Sequence, residues 1–362
     1  MKRLITLTIA LLMTCSLAMG FSSCGSTNGE AVKVRNVEDC AGRQVNVPED
    51  PQRVACLFAS GAHMMAMLDE QDKIVGCPDG VKSDLLMKMK YPKIVDTATP
   101  HQEGAVNIEE MVRIKADLAI VNAQTAGDEG EMAKLDEMHI PYVVIDYYDI
   151  DGLRKAIRVM GQTMNEEEKA ENYIEFMDQT IDMVTDKLAE VPKDEWPEVF
   201  HSSNEATRTD TDENICSEIM NLACVKDISV EKGIAGGNGK SEYVTLEEIY
   251  KWDPDAIIAN EYSVVDYVLS DAKWQGLTAV KKGAVYNLPI GATRWCHPGS
   301  MEAHMGVLAV AVQFYPEKFE GFAFKDYVKD YYQKYFDIEL EDEIIDNIFS
   351  GQGMRRVNSP TN

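Results

Sequence analysis

Asn107-Ile-Glu-Glu-Met-Val-Arg-Ile-Lys-Ala-Asp-Leu-Ala-Ile-Val-Asn122 aligns without a gap on Thr245-Leu-Glu-Glu-Ile-Tyr-Lys-Trp-Asp-Pro-Asp-Ala-Ile-Ile-Ala-Asn260. Each copy opens on an N-cap residue, Asn107 or Thr245. Each has Glu three positions later, Glu110 or Glu248, the spacing of a capping box. A short helix, an Asp turn (Asp117, Asp255) and an apolar strand follow. Both strands run out at Asn. Two copies of one helix–strand unit, one in each half of the chain, predict two lobes built on a common α/β plan.

Further strands are expected at 53–58, 73–77 and 142–146 in the first lobe, and at 198–201 and 284–288 in the second. Helical patterns lie between them, for example at 62–68 and 129–138. Strands alternating with helices imply mostly parallel sheets. Between the lobes, Asn165 with Glu168 reads as a helix start. Tyr173, Ile174, Met177, Ile181, Val184 and Leu188 form a one-face stripe, and Pro192 stops it. A helix of about 25 residues spans roughly 37 Å, enough to link both lobes stiffly and limit their relative motion. The expected division is 1–23 export signal, 24–36 tether, 37–163 first lobe, 164–191 backbone helix, 192–350 second lobe with terminal helices, and 351–362 tail.

The signal reading rests on Lys2 and Arg3 before an apolar stretch. Small residues then lead into Cys24, as in a lipoprotein cleavage box, so Cys24 is the expected lipidated residue. Two or more acyl chains suffice for stable anchoring. The chain should therefore be exported and held at the cell envelope through Cys24 only. Net charge is −26, with 35 Lys+Arg against 61 Asp+Glu, which excludes nucleic-acid binding through phosphates. Six further cysteines (40, 56, 77, 216, 224, 296) fit no zinc or haem spacing. Cys216 and Cys224 are expected on one helix, ~12 Å apart and too far for a disulfide.

With these features in place, the chain resembles the substrate-binding lipoproteins of ABC importers for iron–siderophore complexes, haem and vitamin B12. The residues that carry the resemblance are Glu38-Asp-Cys-Ala-Gly-Arg-Gln-Val-Asn-Val-Pro48 with Pro51-Gln-Arg-Val-Ala55, Asp72-Lys-Ile-Val-Gly76, Asn107–Val121 with Ala116 in place of the usual Pro, and His297-Pro-Gly-Ser with Tyr315-Pro316. The resemblance implies two pseudo-symmetric lobes joined by one long helix, no enzymatic activity, a monomer, and an ABC permease with its ATPase as partners. It also implies one permease-docking carboxylate per lobe, at Glu109 and Glu247. Both lie in a first helical turn, where the dipole favours negative charge, while Glu110 and Glu248 are engaged in capping.

Ligands of open α/β sheets sit beyond the carboxyl ends of the strands. The expected contacts are His63, Tyr147, Tyr148, Arg208, Arg294, Trp295 and His297, because guanidinium and aromatic groups suit a large anionic chelate. The other histidines His101, His139 and His304 read as surface or satisfied residues. No resident cofactor is expected; the ligand would be a ferric or cobalt chelate. The leading expectation is an iron–siderophore-like complex, with a corrinoid or haem, or a transition-metal ion on His63, His201 and His297, as alternatives. Ile234-Ala-Gly-Gly-Asn-Gly-Lys-Ser241 nearly spells a P-loop but lacks its first Gly. No G-x-S-x-G or H-E-x-x-H occurs, which disfavours an envelope hydrolase.

Overall fold

The computed structural model describes residues 33–102, 104–212, 214–233 and 241–354. The signal, Cys24, most of the P-loop-like run and residues 355–362 lie outside the described residues.

Two four-stranded sheets, all parallel, form the body from Lys33 onward. Across the first, the order is Ile74–Gly76, Val54–Cys56, Leu118–Val121, Tyr142–Val144. Across the second it is Lys226–Asp227, Glu198–Ser202, Ala256–Ala259, Val285–Asn287. Counted along the chain, both orders are second, first, third, fourth. The two lobes therefore share one topology, and the repeated strands hold the same place in each.

The equivalence extends to single residues. Leu118 and Ile120 face the main core while Ala119 and Val121 face the outer cluster of the first lobe. Ala256 and Ile258 face the same main core, while Ile257 and Ala259 face the outer cluster of the second lobe. This is strand alternation in matching register. Lys115 and Asp253, at equivalent positions, both take positive φ (49° and 44°) to close the turn after the repeat helix. Asp117 accepts hydrogen bonds from the Gln52 and Arg53 amides (2.9 and 3.0 Å), and Asp255 accepts one from the Glu198 amide (3.0 Å). Each repeat Asp thus staples its strand to the first strand of its own sheet.

The long helix runs Glu167–Leu188. Its predicted stripe is buried: Tyr173, Ile174, Met177, Ile181, Val184 and Leu188 all join the main core. It packs on helix Ile150–Met164 at the end of the first lobe and on Ala303–Phe314 of the second. At 22 residues it spans ~33 Å.

Several expectations are corrected. Asn165 does not start the long helix: at φ 63° and ψ 36° it ends the preceding one, in the left-handed conformation that Asn tolerates. That preceding helix was missed, although Asp149 caps it through the Gly152 amide at 2.6 Å. The capping box is complete at Thr245 but half-formed at Asn107, because the Glu110 carboxylate turns to Arg113. Val34 already lies in a strand, Val34–Glu38 paired with Gln44–Pro48, so the tether ends before residue 36. Helix Ile215–Leu222 holds Cys216 and stops short of Cys224. Residues 342–349 form a helix that buries Ile345 and Ile348, and the chain stays packed to Met354.

Candidate functional site: a cleft between the strand ends of two lobes

The first sheet sends Ala59–His63 and Gly80–Lys88 beyond its strand ends, and the second sends Ile290–Ser300. Together with Met354 they enclose a cavity of about 730 Å³. A larger cavity of about 870 Å³ lies between Tyr148–Asp149 of the first lobe and, in the second, Trp196, the helix Ile215–Leu222 and the edge strand Lys226–Asp227. The smaller cavity is the candidate site, because the loops after the first two strands of the first sheet and the loop after the last strand of the second converge on it with His63, Arg294 and His297. Ser60 Oγ donates to the Gly299 carbonyl at 2.7 Å, so the lobes touch across one rim.

His63 sits on helix Ala59–Met67, directly after the first strand. Its Nε2 lies 2.9 Å from Asp84 Oδ2, and its buried Nδ1 has no partner among the described residues. Asp84 also caps helix Leu85–Lys90 through the Met87 amide (3.3 Å), which fixes the carboxylate that orients the imidazole. Across the cleft, Arg294 Nε donates to Glu261 Oε1 at 2.7 Å. His297 lies 2.6 Å from the Pro298 carbonyl through Nδ1 and 3.4 Å from the Asn204 amide nitrogen through Nε2. The carbonyl requires a proton on Nδ1, and the amide leaves Nε2 accepting, so the neutral tautomer satisfies both. Burial, aided by the Arg294 charge, pulls the His297 pKa down to about 4.

The loop that carries these residues is held from behind. Glu302, fully buried, accepts from the Thr293 amide (2.6 Å), Thr293 Oγ1 (2.8 Å) and the Tyr332 hydroxyl (2.6 Å). Tyr332 in turn accepts from the Ala292 amide at 2.9 Å. At Gly291 a Cβ would stand 2.0 Å from the Tyr332 hydroxyl and 2.6 Å from Trp295 Nε1, so only glycine fits this approach.

Of the seven ligand residues expected from sequence, His63, Arg294 and His297 line the cavity together. Tyr147 is buried behind it, its hydroxyl beside Ser60, and burial pushes its pKa up. Tyr148 lines the neighbouring cavity. Arg208, on a two-stranded antiparallel sheet with Ser241–Tyr243, does not line the cleft. Trp295 is corrected: it is 0% exposed and packs against Phe324 and Phe349, each 6.1 Å away between ring centres. The indole is a loop anchor, since burying it stabilises more than a wet cleft wall would. Asp84 and Lys88 were missed. Asp84 before Leu85-Leu86-Met87 was readable as a helix cap, but nothing local placed it against His63.

Glu109 and Glu247 are both exposed, each in the first turn of its repeat helix, Ile108–Arg113 and Leu246–Trp252. Among the described residues no helix is long and apolar enough to cross a membrane.

A profile of the periplasmic binding protein family matches residues 54–290, from the first strand of the first lobe to the cleft loop of the second. The molybdate-binding protein MolA of Haemophilus influenzae is 23% identical over 354 residues, covering 90% of this chain and 96% of MolA. The structure of MolA bound to molybdate superposes with a TM-score of 0.75 at 21% identity, over 85% of this chain and 99% of that one. Two Bacillus subtilis proteins are also similar. The Fe(3+)-citrate-binding protein YfmC is 25% identical over 79% of this chain and 89% of its own, and the ABC transporter substrate-binding lipoprotein YvrC, otherwise uncharacterised, is 23% identical over 78% and 86%. With two like-folded lobes, a joining helix and a cleft between their strand ends, the chain belongs to the periplasmic binding protein family, and it is a substrate-binding protein of the ABC-transporter type rather than an enzyme.

Proposed function

We propose that the chain, exported and anchored through Cys24, captures an anionic ferric chelate of siderophore or hydroxycarboxylate type and delivers it to an ABC permease. The cationic donors of the cleft carry this reading. In a chain of net charge −26, Lys88 and Arg294 both line the cavity; Arg294 is held by Glu261, and the one carboxylate among the described lining residues, Asp84, is engaged by His63. Two cationic side chains in the wall, Lys88 and Arg294, offer charge-assisted donors to an anionic ligand. A cavity of about 730 Å³ suits a compact organic complex and has far more room than a bare tetrahedral oxyanion needs. No Phe, Tyr or Trp stands among the described lining residues, which disfavours the flat faces of haem and corrinoids. The name of YfmC adds support for a ferric hydroxycarboxylate.

Glu109 and Glu247 would dock the permease, one carboxylate per lobe. Calorimetric titration of the purified chain with ferric citrate, a ferric siderophore, molybdate, haem and Ni²⁺ tests the ligand class. A ferric chelate should bind best, and Arg294→Ala should weaken it at least about tenfold, the loss of one charge-assisted contact. Tight binding of molybdate, haem or Ni²⁺ with no response to either ferric complex would overturn the proposal.

A further inference from the structure

Beneath the cleft floor lies a cluster with no part in the cavity wall. His201 stands near the end of strand Glu198–Ser202, Cys216 on helix Ile215–Leu222, and Cys296 in the cleft loop between Arg294 and His297. All three are fully buried. One ligand atom from each, the two sulfurs and an imidazole nitrogen, lie within 4.8 Å of one another.

The imidazole is prepared as a metal ligand is. Its Nδ1 is hydrogen-bonded to Asp210 Oδ2. Asp210 is itself fixed by the Asn214 side-chain amide at 2.8 Å, and Asn214 Oδ1 accepts the Cys216 amide at 2.9 Å. The remaining ring nitrogen, Nε2, is buried and has no partner among the described residues. A carboxylate that holds one imidazole nitrogen while the other is left open is the outer-shell arrangement that fixes tautomer and orientation in metal sites. An orphaned ring nitrogen in a closed interior otherwise carries an uncompensated desolvation cost.

We propose that His201, Cys216 and Cys296 form a buried three-donor site for a thiophilic cation, with Cu⁺, or Zn²⁺ completed by a water, as the chemistry that fits. Two thiolates and an imidazole are the donor set such ions select. With Zn–S bonds of about 2.3 Å, paired sulfurs would sit roughly 3.8 Å apart, so small side-chain shifts from the present spacing suffice. Binding converts two thiols to thiolates and takes the proton from His201 Nε2, which the Asp210 carboxylate otherwise holds on the ring; all three protons leave to solvent. A site closed on every side is loaded as the chain folds. The bound ion would tie the loop that presents Arg294 and His297 to the sheet and helix of the second lobe. This site is separate from the cleft ligand and does not depend on what that ligand is.

The test loads the purified, reduced chain with Zn²⁺ or Co²⁺ and removes loosely held ion by dialysis. The expected result is one metal per chain, with a Co²⁺–thiolate charge-transfer band. Cys216→Ser, Cys296→Ser and the double variant should lose band and stoichiometry, while Cys40→Ser keeps both. Asp210→Asn should weaken affinity about 10–100-fold. Should the cysteine variants fail to fold, ¹¹³Cd NMR of the unaltered chain decides: a resonance in the mixed sulfur–nitrogen range supports the site, and one in the all-oxygen range refutes it. No retained metal, a band that survives the double substitution, or a quantitative Cys216–Cys296 disulfide that blocks loading would each overturn the proposal.

Discussion

His304 shows how far a residue's setting can depart from its type. It lies fully buried on helix Ala303–Phe314, boxed by the rings of Tyr173, Phe176 and Tyr331 at 5.5–5.7 Å. Both ring nitrogens lack partners among the described residues. Sequence reading expected a surface or satisfied histidine, and nothing near it in the chain signals the aromatic box. Burial drops its pKa from 6.5 to about 3. The folded state therefore binds fewer protons than the unfolded state between those values, and stability falls as pH falls through that window. Each pH unit costs up to about 1.4 kcal/mol. His304→Phe should keep the ring and remove the titration. Thermal melts from pH 7 to pH 4 should show a flatter decline in the variant, and parallel declines would disprove the assignment.

At the level of elements, the repeat explains why both lobes close alike. Asp117 and Asp255 each take up backbone amides at the start of the neighbouring first strand. Replacing either with Ala leaves those amides to solvent and removes charge-assisted bonds. Asp117→Ala should cost about 1–3 kcal/mol and Asp255→Ala somewhat less, as it accepts from one amide rather than two. Denaturant unfolding measures both, and no loss in either would show that the repeat's Asp is incidental. The two sites lie in different lobes, so the costs should add in the double variant.

Across the whole molecule, the shared strand order turns one exposed carboxylate into a matched pair. Glu109 and Glu247 occupy equivalent first-turn positions and are both exposed. Single Ala substitutions should reduce cellular uptake, the double more severely, while calorimetric affinity for the chelate stays unchanged. Uptake that survives the double substitution would remove these residues from docking. The lobes already meet through Ser60 and Gly299, and the long helix is packed into a core continuous with both.

The sequence by itself carried the α/β plan, the two-lobe repeat, the buried stripe of the joining helix and three residues that meet in the cleft. These are legible because caps, period-two and period-3.6 patterns and strand-end positions are local. The end of one helix at Asn165, the burial of Trp295, the pairing of His63 with Asp84 and the gathering of His201, Cys216 and Cys296 were decided only by the tertiary structure. Each depends on contacts between segments far apart in the chain, and an indole or a thiol carries no local mark of whether it will meet a ligand or the core.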